Sequence, residues 1–117
     1  MSRSAAQRVA DILEGIERSQ RYLEALTSGD EQLAEMAEDA IERNLQIIGE
    51  AANRLPPEIV DAHPEVAWAQ IRGFRNILVH QYFGIDRDIV TDVVTEYLPS
   101  LATSLRSHVA EEGRSSD

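Results

Sequence analysis

The sequence predicts a single all-α domain, because its composition disfavours sheets and its apolar residues recur at helical spacing. The chain has 117 residues, which is the usual size of one domain. One Trp, three Tyr, two Phe, six Gly and four Pro are too few for the aromatic-rich strands and frequent turns of a β-sandwich. Apolar residues instead follow steps of three and four along most of the chain, as amphipathic helices require.

The first half of the chain predicts a long antiparallel helical hairpin. One helix is expected over residues 4–26, followed by a Thr-Ser-Gly turn. Asp30 or Ser28 can cap a second helix, which continues until Pro56 and Pro57 stop the period. The apolar stripe expected to face the core in this second helix comprises Leu33, Met36, Ala37, Ala40, Ile41, Leu45, Ile48, Ala52 and Leu55.

The second half predicts a connector and two further helices. Residues 57–69 are broken by Pro64 and should form short helical turns, with Trp68 as an anchor on the bundle. The helical period resumes over residues 71–83, where Gly84 is placed to end it. A last helix follows from residues 85–86, and Pro99 should kink or divide it. Residues 110–117 form a polar tail that is expected to fray.

Composition also excludes several classes of protein and site. The absence of cysteine excludes disulfides, thiolate zinc sites and a cysteine nucleophile. No run of about 18 apolar residues could cross a bilayer. Acidic residues interrupt the first apolar stretch, which is unlike a secretory signal. We therefore expect a cytoplasmic protein without membrane contact.

The charge distribution points to one segment. The 11 cationic residues are all Arg, and with 21 acidic residues they give a net charge of −10. Such a field repels phosphate backbones at long range, so we expect no DNA partner and only local contacts with RNA. Residues 66–87 differ from the rest, since they contain Arg72, Arg75 and Arg87 against the single carboxylate of Asp86.

The predicted helix over residues 71–83 groups its polar residues on two sides. Asn76 and His80 are four residues apart, so their side chains can touch on the face away from the core. Arg75 and Tyr82 share another side. Because Arg75 and His80 lie about 140° apart around an ideal helix, a tight pair within one chain is not automatic. Either the helix loosens before His80, or a second copy of the chain completes the site.

Apolar residues on the same face favour the second copy. Val79 and Phe83 would be exposed beside Arg75 and His80 in a monomer, which is typical of a buried partner surface. We therefore expect a two-fold homodimer in which two such helices approach each other.

Residues 75–82, Arg-Asn-Ile-Leu-Val-His-Gln-Tyr, resemble the Arg-Asn-x-x-x-His signature of the HEPN superfamily (higher eukaryotes and prokaryotes nucleotide-binding). The extension to Arg-x4-His-x-Tyr is similar to its HepT branch. Further similar blocks lie at residues 42–52, 71–74, 82–86 and 98–99, so the resemblance covers about residues 9–108. It implies an antiparallel four- or five-helix bundle that dimerises, with the motif lining a cleft at the interface.

The resemblance also implies an activity and a partner. Such proteins are ribonuclease toxins that a small cognate nucleotidyltransferase neutralises, and this partner can transfer AMP to the motif tyrosine. Carried over to this chain, Arg75 and His80 are catalytic, Asn76 orients them, and Tyr82 accepts the modification.

The chemistry is reasonable in itself. RNA supplies its own nucleophile, the 2′-hydroxyl, so cleavage needs a base that titrates near neutral pH and a cation to stabilise the phosphorane. His80 and Arg75 have these properties, and the segment has no clustered carboxylates, so no metal or cofactor is expected.

The sequence leaves open which residues support the motif and whether the protein is catalytic. Arg43, Glu50 and Arg72 are candidates for supporting the catalytic side chains, although most such charges belong to solvated helix faces. His63 and His108 are expected to be structural or incidental. The same cleft could also belong to a non-catalytic dimer that binds a nucleotide or the nucleotidyltransferase, or to a purely structural one.

Overall fold

Two long antiparallel helices form the frame of the molecule. The computed structural model describes residues 3–74 and 87–115, in which α1 spans Ala5–Leu26 and α2 spans Glu31–Asn53. Ser4 begins α1 with a capping box: its hydroxyl accepts from the Gln7 amide at 3.1 Å, and the Gln7 side chain accepts from the Ser4 amide at 2.7 Å. The turn between the helices uses Gly29 at a φ of 87°, which favours glycine.

The cap of α2 resolves the alternative left by the sequence. Asp30 is the N-cap residue, and its carboxylate accepts from the Leu33 amide at 3.1 Å. The Ser28 hydroxyl instead accepts from the Asp30 amide at 3.2 Å and so supports the turn. The predicted hairpin is confirmed, and both helices end within a few residues of the expected positions.

The core confirms most of the predicted apolar stripe, with one correction at the start of α2. Ile41, Leu45 and Ile48 are fully buried, but Leu33 and Met36 are 43% and 62% exposed. Ala34 and Ala37 fill the core at this end of the helix. Since Leu33 and Met36 each precede one of these alanines, they lie about 100° away around the axis and face outward.

Short helices cover one end of the hairpin, as the proline-broken connector predicts. They are α3, Pro57–Ala62, and α4, Trp68–Arg72. Trp68 is buried, and its indole nitrogen donates to the His63 carbonyl at 2.9 Å. The expected anchoring role of Trp68 is confirmed.

The last helix is divided in the region where Pro99 was expected to act. It consists of α5, Arg87–Asp92, a π-helical segment, Val93–Tyr97, and α6, Leu98–Ser115. Proline has no amide hydrogen to donate to the preceding turn, and the wider π turn lies directly before it. The helix then continues to Ser115, through most of the tail that was expected to fray.

The described helices share one hydrophobic core, and no strand occurs in residues 3–74 or 87–115. The predicted all-α fold is confirmed. Of the helices in these ranges, none is long and apolar enough to cross a membrane.

Candidate functional site

The motif predicted to carry the chemistry lies in residues 75–86, outside the described residues. These include Arg75, Asn76, Val79, His80, Tyr82, Phe83 and Gly84. Their expected roles stay predictions, but the residues on either side show where this part of the chain is attached.

The residue that leads into the motif is fixed against α2. Phe74 is buried, with 2% of its surface exposed, and its ring makes an edge-to-face contact with Tyr97 at a centroid distance of 6.4 Å. Gly49 of α2 allows this close approach: a Cβ there would lie 3.1 Å from the Ile71 carbonyl oxygen and 3.6 Å from the Phe74 Cβ. The end of α4 thus packs directly on the α2 backbone.

The residue that leaves the motif is fixed to the other half of α2. The guanidinium of Arg87 binds both carboxylate oxygens of Glu31, at 2.7 and 3.2 Å, and its Nε donates to Glu38 at 2.9 Å. The hydrogen bond from Arg87 lowers the pKa of Glu31, and the two carboxylates raise the pKa of Arg87. Glu31 and Glu38 therefore offset the positive charge of Arg87, one of the three arginines that made residues 66–87 cationic in the sequence.

Both attachments are on the same helix. Gly49 and Glu38 are 11 residues apart in α2, a rise of about 16 Å. In the sequence the motif lies between Phe74 and Arg87, so α2 holds the described residue on each side of it.

Two of the three supporting candidates share a groove between α1 and α2. Arg43 and Glu50 lie on exposed positions of α2 along this groove, which has a volume of about 360 Å³. Glu50 is paired with Arg54 at 2.9 Å, one turn along the helix. Arg43 forms no ion pair with any described residue. Arg72 is exposed at the end of α4 and is not among the residues that line the groove.

The remaining cations of this groove were not identified from the sequence. Arg3 lies just before α1 and Arg8 lies near its start, and Arg3 donates to both oxygens of Asp11, at 2.7 and 2.8 Å. The predicted hairpin contained a usable signal. In an antiparallel hairpin that turns at residues 27–30, partners have numbers that add up to about 57, which places Arg8 within one residue of the position opposite Glu50.

A second polar cluster lies where the connector meets α6. His63 Nδ1 lies 3.1 Å from a Glu65 oxygen, and His63 Nε2 lies 3.2 Å from His108 Nδ1. Ser104 donates to Glu65 at 2.6 Å, which is the main reason why the pKa of Glu65 is lowered. These contacts give His63 and His108 the structural role that was one of their two expected outcomes.

Within residues 3–74 and 87–115, no group of three or more His, Asp or Glu side chains is arranged to hold a metal ion.

Comparison with known proteins identifies the family. The family model described as "Ribonuclease HepT-like" matches residues 12–107. The "Probable ribonuclease HepT" of Thermococcus cleftensis is 34% identical over 86% of this chain and 92% of its own length. A "Putative RNase" of Methanocaldococcus jannaschii is 31% identical over 77% of this chain and 74% of its own length. Another, from Caldanaerobacter subterraneus subsp. tengcongensis, is 36% identical over 62% of this chain and 65% of its own. No solved structure gives a significant match. The chain belongs to the ribonuclease HepT-like family of the HEPN superfamily.

Proposed function

We propose that this protein is a metal-independent endoribonuclease. The observation that carries the proposal is that the family match spans residues 12–107 and so includes the complete Arg-x4-His-x-Tyr motif at residues 75–82. The names of the relatives, which describe them as ribonucleases, support the same reaction class.

The proposed reaction uses the nucleophile of the substrate. His80 removes the proton of an RNA 2′-hydroxyl, whose oxygen attacks the adjacent phosphorus and displaces the 5′-oxygen of the next nucleotide. Arg75 stabilises the negative charge of the phosphorane, and Asn76 orients the imidazole. The displaced 5′-oxygen takes up a proton from the solvent, so the products are a 2′,3′-cyclic phosphate and a 5′-hydroxyl.

Cleavage of RNA by the purified chain in the presence of EDTA tests this proposal. His80→Ala and Arg75→Ala are expected to lower the rate at least 100-fold, the usual effect of removing a general base or a charge-stabilising group. Arg21→Gln is the matched control, because Arg21 is an exposed arginine of α1 and should leave cleavage unchanged. Products that end in a 3′-hydroxyl, or cleavage that EDTA abolishes, would contradict the mechanism.

We further propose that the protein is the toxin of a toxin–antitoxin pair and that a cognate nucleotidyltransferase neutralises it by transferring AMP to Tyr82. The Tyr82 oxygen attacks the α-phosphorus of ATP, pyrophosphate leaves, and the phenolic proton passes to solvent or a base. The attached phosphodiester carries a negative charge that can satisfy the Arg75 guanidinium, and the adenosine occupies the cleft.

Co-expression with the transferase tests the regulation. Tyr82→Phe should remain toxic in the presence of the transferase, and mass spectrometry should find AMP on the wild-type chain but not on this variant. If the transferase silences Tyr82→Phe as effectively as the wild type, binding rather than modification is the brake.

The net charge of −10 favours one alternative, a non-catalytic dimer that binds a nucleotide or the transferase in the same cleft. Expression without the transferase distinguishes the two. An enzyme should inhibit growth unless His80 is replaced, whereas a binding module should give equal growth with and without His80→Ala.

A further inference from the structure

The groove between α1 and α2 concentrates arginine in an acidic protein. We call it the arginine groove. Its lining residues are Arg3, Arg8, Asp11, Arg43, Gln46, Ile47, Glu50 and Ala51. Three of the 11 cationic residues of the chain thus face one cavity, while the chain as a whole carries a charge of −10.

The two carboxylates of the arginine groove are already paired. Asp11 accepts both of its short hydrogen bonds from Arg3. Glu50 is bound by Arg54, at 2.9 and 3.1 Å. Neither Arg8 nor Arg43 pairs with a carboxylate among the described residues. These two guanidinium groups therefore provide positive charge that no carboxylate in residues 3–74 or 87–115 neutralises.

The walls of the arginine groove suit a phosphate attached to an organic group. Guanidinium groups bind phosphate oxygens with two parallel hydrogen bonds. Between the cations, Gln46 offers an amide that can both donate and accept, and Ile47, which is 37% exposed, offers apolar surface to a ribose or base. The volume of about 360 Å³ is within the range of small-molecule sites.

The arginine groove lies close to the place where the motif is attached. Glu50 directly follows Gly49, which contacts Phe74 immediately before the motif. Arg43 is six residues from Gly49, a rise of about 9 Å along α2. Along the axis of α2, the arginine groove therefore lies at the same level as the residue that leads into the motif.

We propose that the arginine groove binds the sugar–phosphate backbone of the RNA substrate through Arg8 and Arg43. The assignment rests on the proposed ribonuclease function and gives it a substrate-positioning site outside the motif. It also accounts for RNA binding by a chain whose net charge is −10, since the cations of the arginine groove contact the strand locally. The proposed ribonuclease function makes RNA the favoured ligand over an acidic protein segment, which the same charges would also attract.

Binding of a labelled single-stranded RNA, followed by fluorescence anisotropy, tests the assignment. The parent protein is the full chain with His80→Ala, so that the RNA stays intact. Adding Arg8→Gln and Arg43→Gln should weaken binding about tenfold at low salt. It should also reduce the slope of log K against log salt by about 1.4 between about 50 and 200 mM, because each lost phosphate contact with a single strand contributes about 0.7.

The matched control carries Arg21→Gln and Arg106→Gln, which remove the same charge at exposed positions of α1 and α6 outside the groove. It should bind RNA as the parent does, and circular dichroism should show equal folding of both double variants. Equal binding by the groove and control variants would overturn the assignment. So would a groove variant that loses the nucleotidyltransferase but keeps RNA, since the groove would then serve a protein.

Cleavage assays keep this test separate from that of the proposed function. If the wild-type chain cleaves RNA but the His80→Ala parent shows no groove-dependent binding, the groove assignment fails while the ribonuclease stands. If the wild-type chain cleaves nothing but RNA binding depends on Arg8 and Arg43, the catalytic proposal fails while the groove stands.

Discussion

Gly49 is the residue of α2 on which the end of α4 packs, immediately before the motif in the sequence. The carbonyl oxygen of Ile71 would lie 3.1 Å from a Cβ at this position, which is closer than ordinary contact. Backbone cannot move aside as a flexible side chain can. The absence of a side chain at residue 49 is therefore what lets α4 deliver Phe74 to its buried position.

We expect Gly49→Ala to destabilise the protein. Overpacking costs about 1–3 kcal/mol, and the better helix propensity of alanine returns up to about 1 kcal/mol, so a net loss of about 1 kcal/mol is expected. The urea midpoint measures it. Gly113→Ala is the control, because a Cβ at residue 113 meets nothing within 4 Å. A Gly49→Ala midpoint equal to or above that of the wild type would show that α4 adjusts without cost.

At the scale of the element, α2 contacts the described residues on both sides of the motif and forms one wall of the arginine groove. Its C-terminal half contacts Phe74, its N-terminal half holds Arg87, and an exposed face contributes Arg43 to the arginine groove. The ion pairs of Arg87 join residues far apart in the sequence, so they can exist only after α5 has packed on α2.

We expect Arg87→Gln to destabilise the protein in a pH-dependent way. The pKa of Glu31 is lowered by Arg87, so its contribution to stability is complete above the ordinary carboxyl pKa and is lost as the pH falls through the lowered value. The deficit of Arg87→Gln in urea unfolding should thus be largest near pH 7 and shrink below about pH 4. Arg106→Gln should show no such trend. A deficit that is constant from pH 7 to pH 3 would mean that packing, not the ion pair, holds Arg87.

The elements illustrate what could be predicted from sequence. The hairpin followed from long periodic stripes bounded by Gly29 and Pro56, and the division of the last helix followed from the missing amide of Pro99, because both signals are local. The outward position of Met36 did not follow, since Met36 and Ala37 both fit a broad apolar stripe, and packing against other helices chooses between them. The pairing of Arg87 with Glu31 was not predicted either, because it depends on a tertiary contact that the local sequence does not reveal.

At the scale of the whole molecule, arginines and acidic residues are concentrated in different surface depressions. Arg3, Arg8 and Arg43 face one groove, while Gln32, Glu35, Glu38 and Asp39 lie along another depression on the N-terminal half of α2. The net charge of −10 alone argues against a nucleic-acid ligand, but it averages over these regions. Local grouping of arginines restores a path for an anionic strand.

We expect the protein to form a two-fold dimer through the face that contains Val79 and Phe83. Sedimentation equilibrium should give twice the mass of one chain. Phe83→Glu should shift the protein toward monomer, because the charge would be buried at the interface. Val109→Glu places the same charge on α6, where Val109 is 49% exposed, and should leave the dimer intact. A wild-type chain that sediments as a monomer at all concentrations would remove the basis for a shared cleft.

The attachment of both ends of the motif to α2 limits how this helix can change. Replacing an exposed side chain between Glu38 and Gly49 does not change the angle or the distance between the two attachment points along α2. Inserting a single residue there would turn one of them by about 100° around the axis and displace it by about 1.5 Å. We therefore expect the fold to tolerate substitutions at exposed positions of this stretch far better than insertions or deletions.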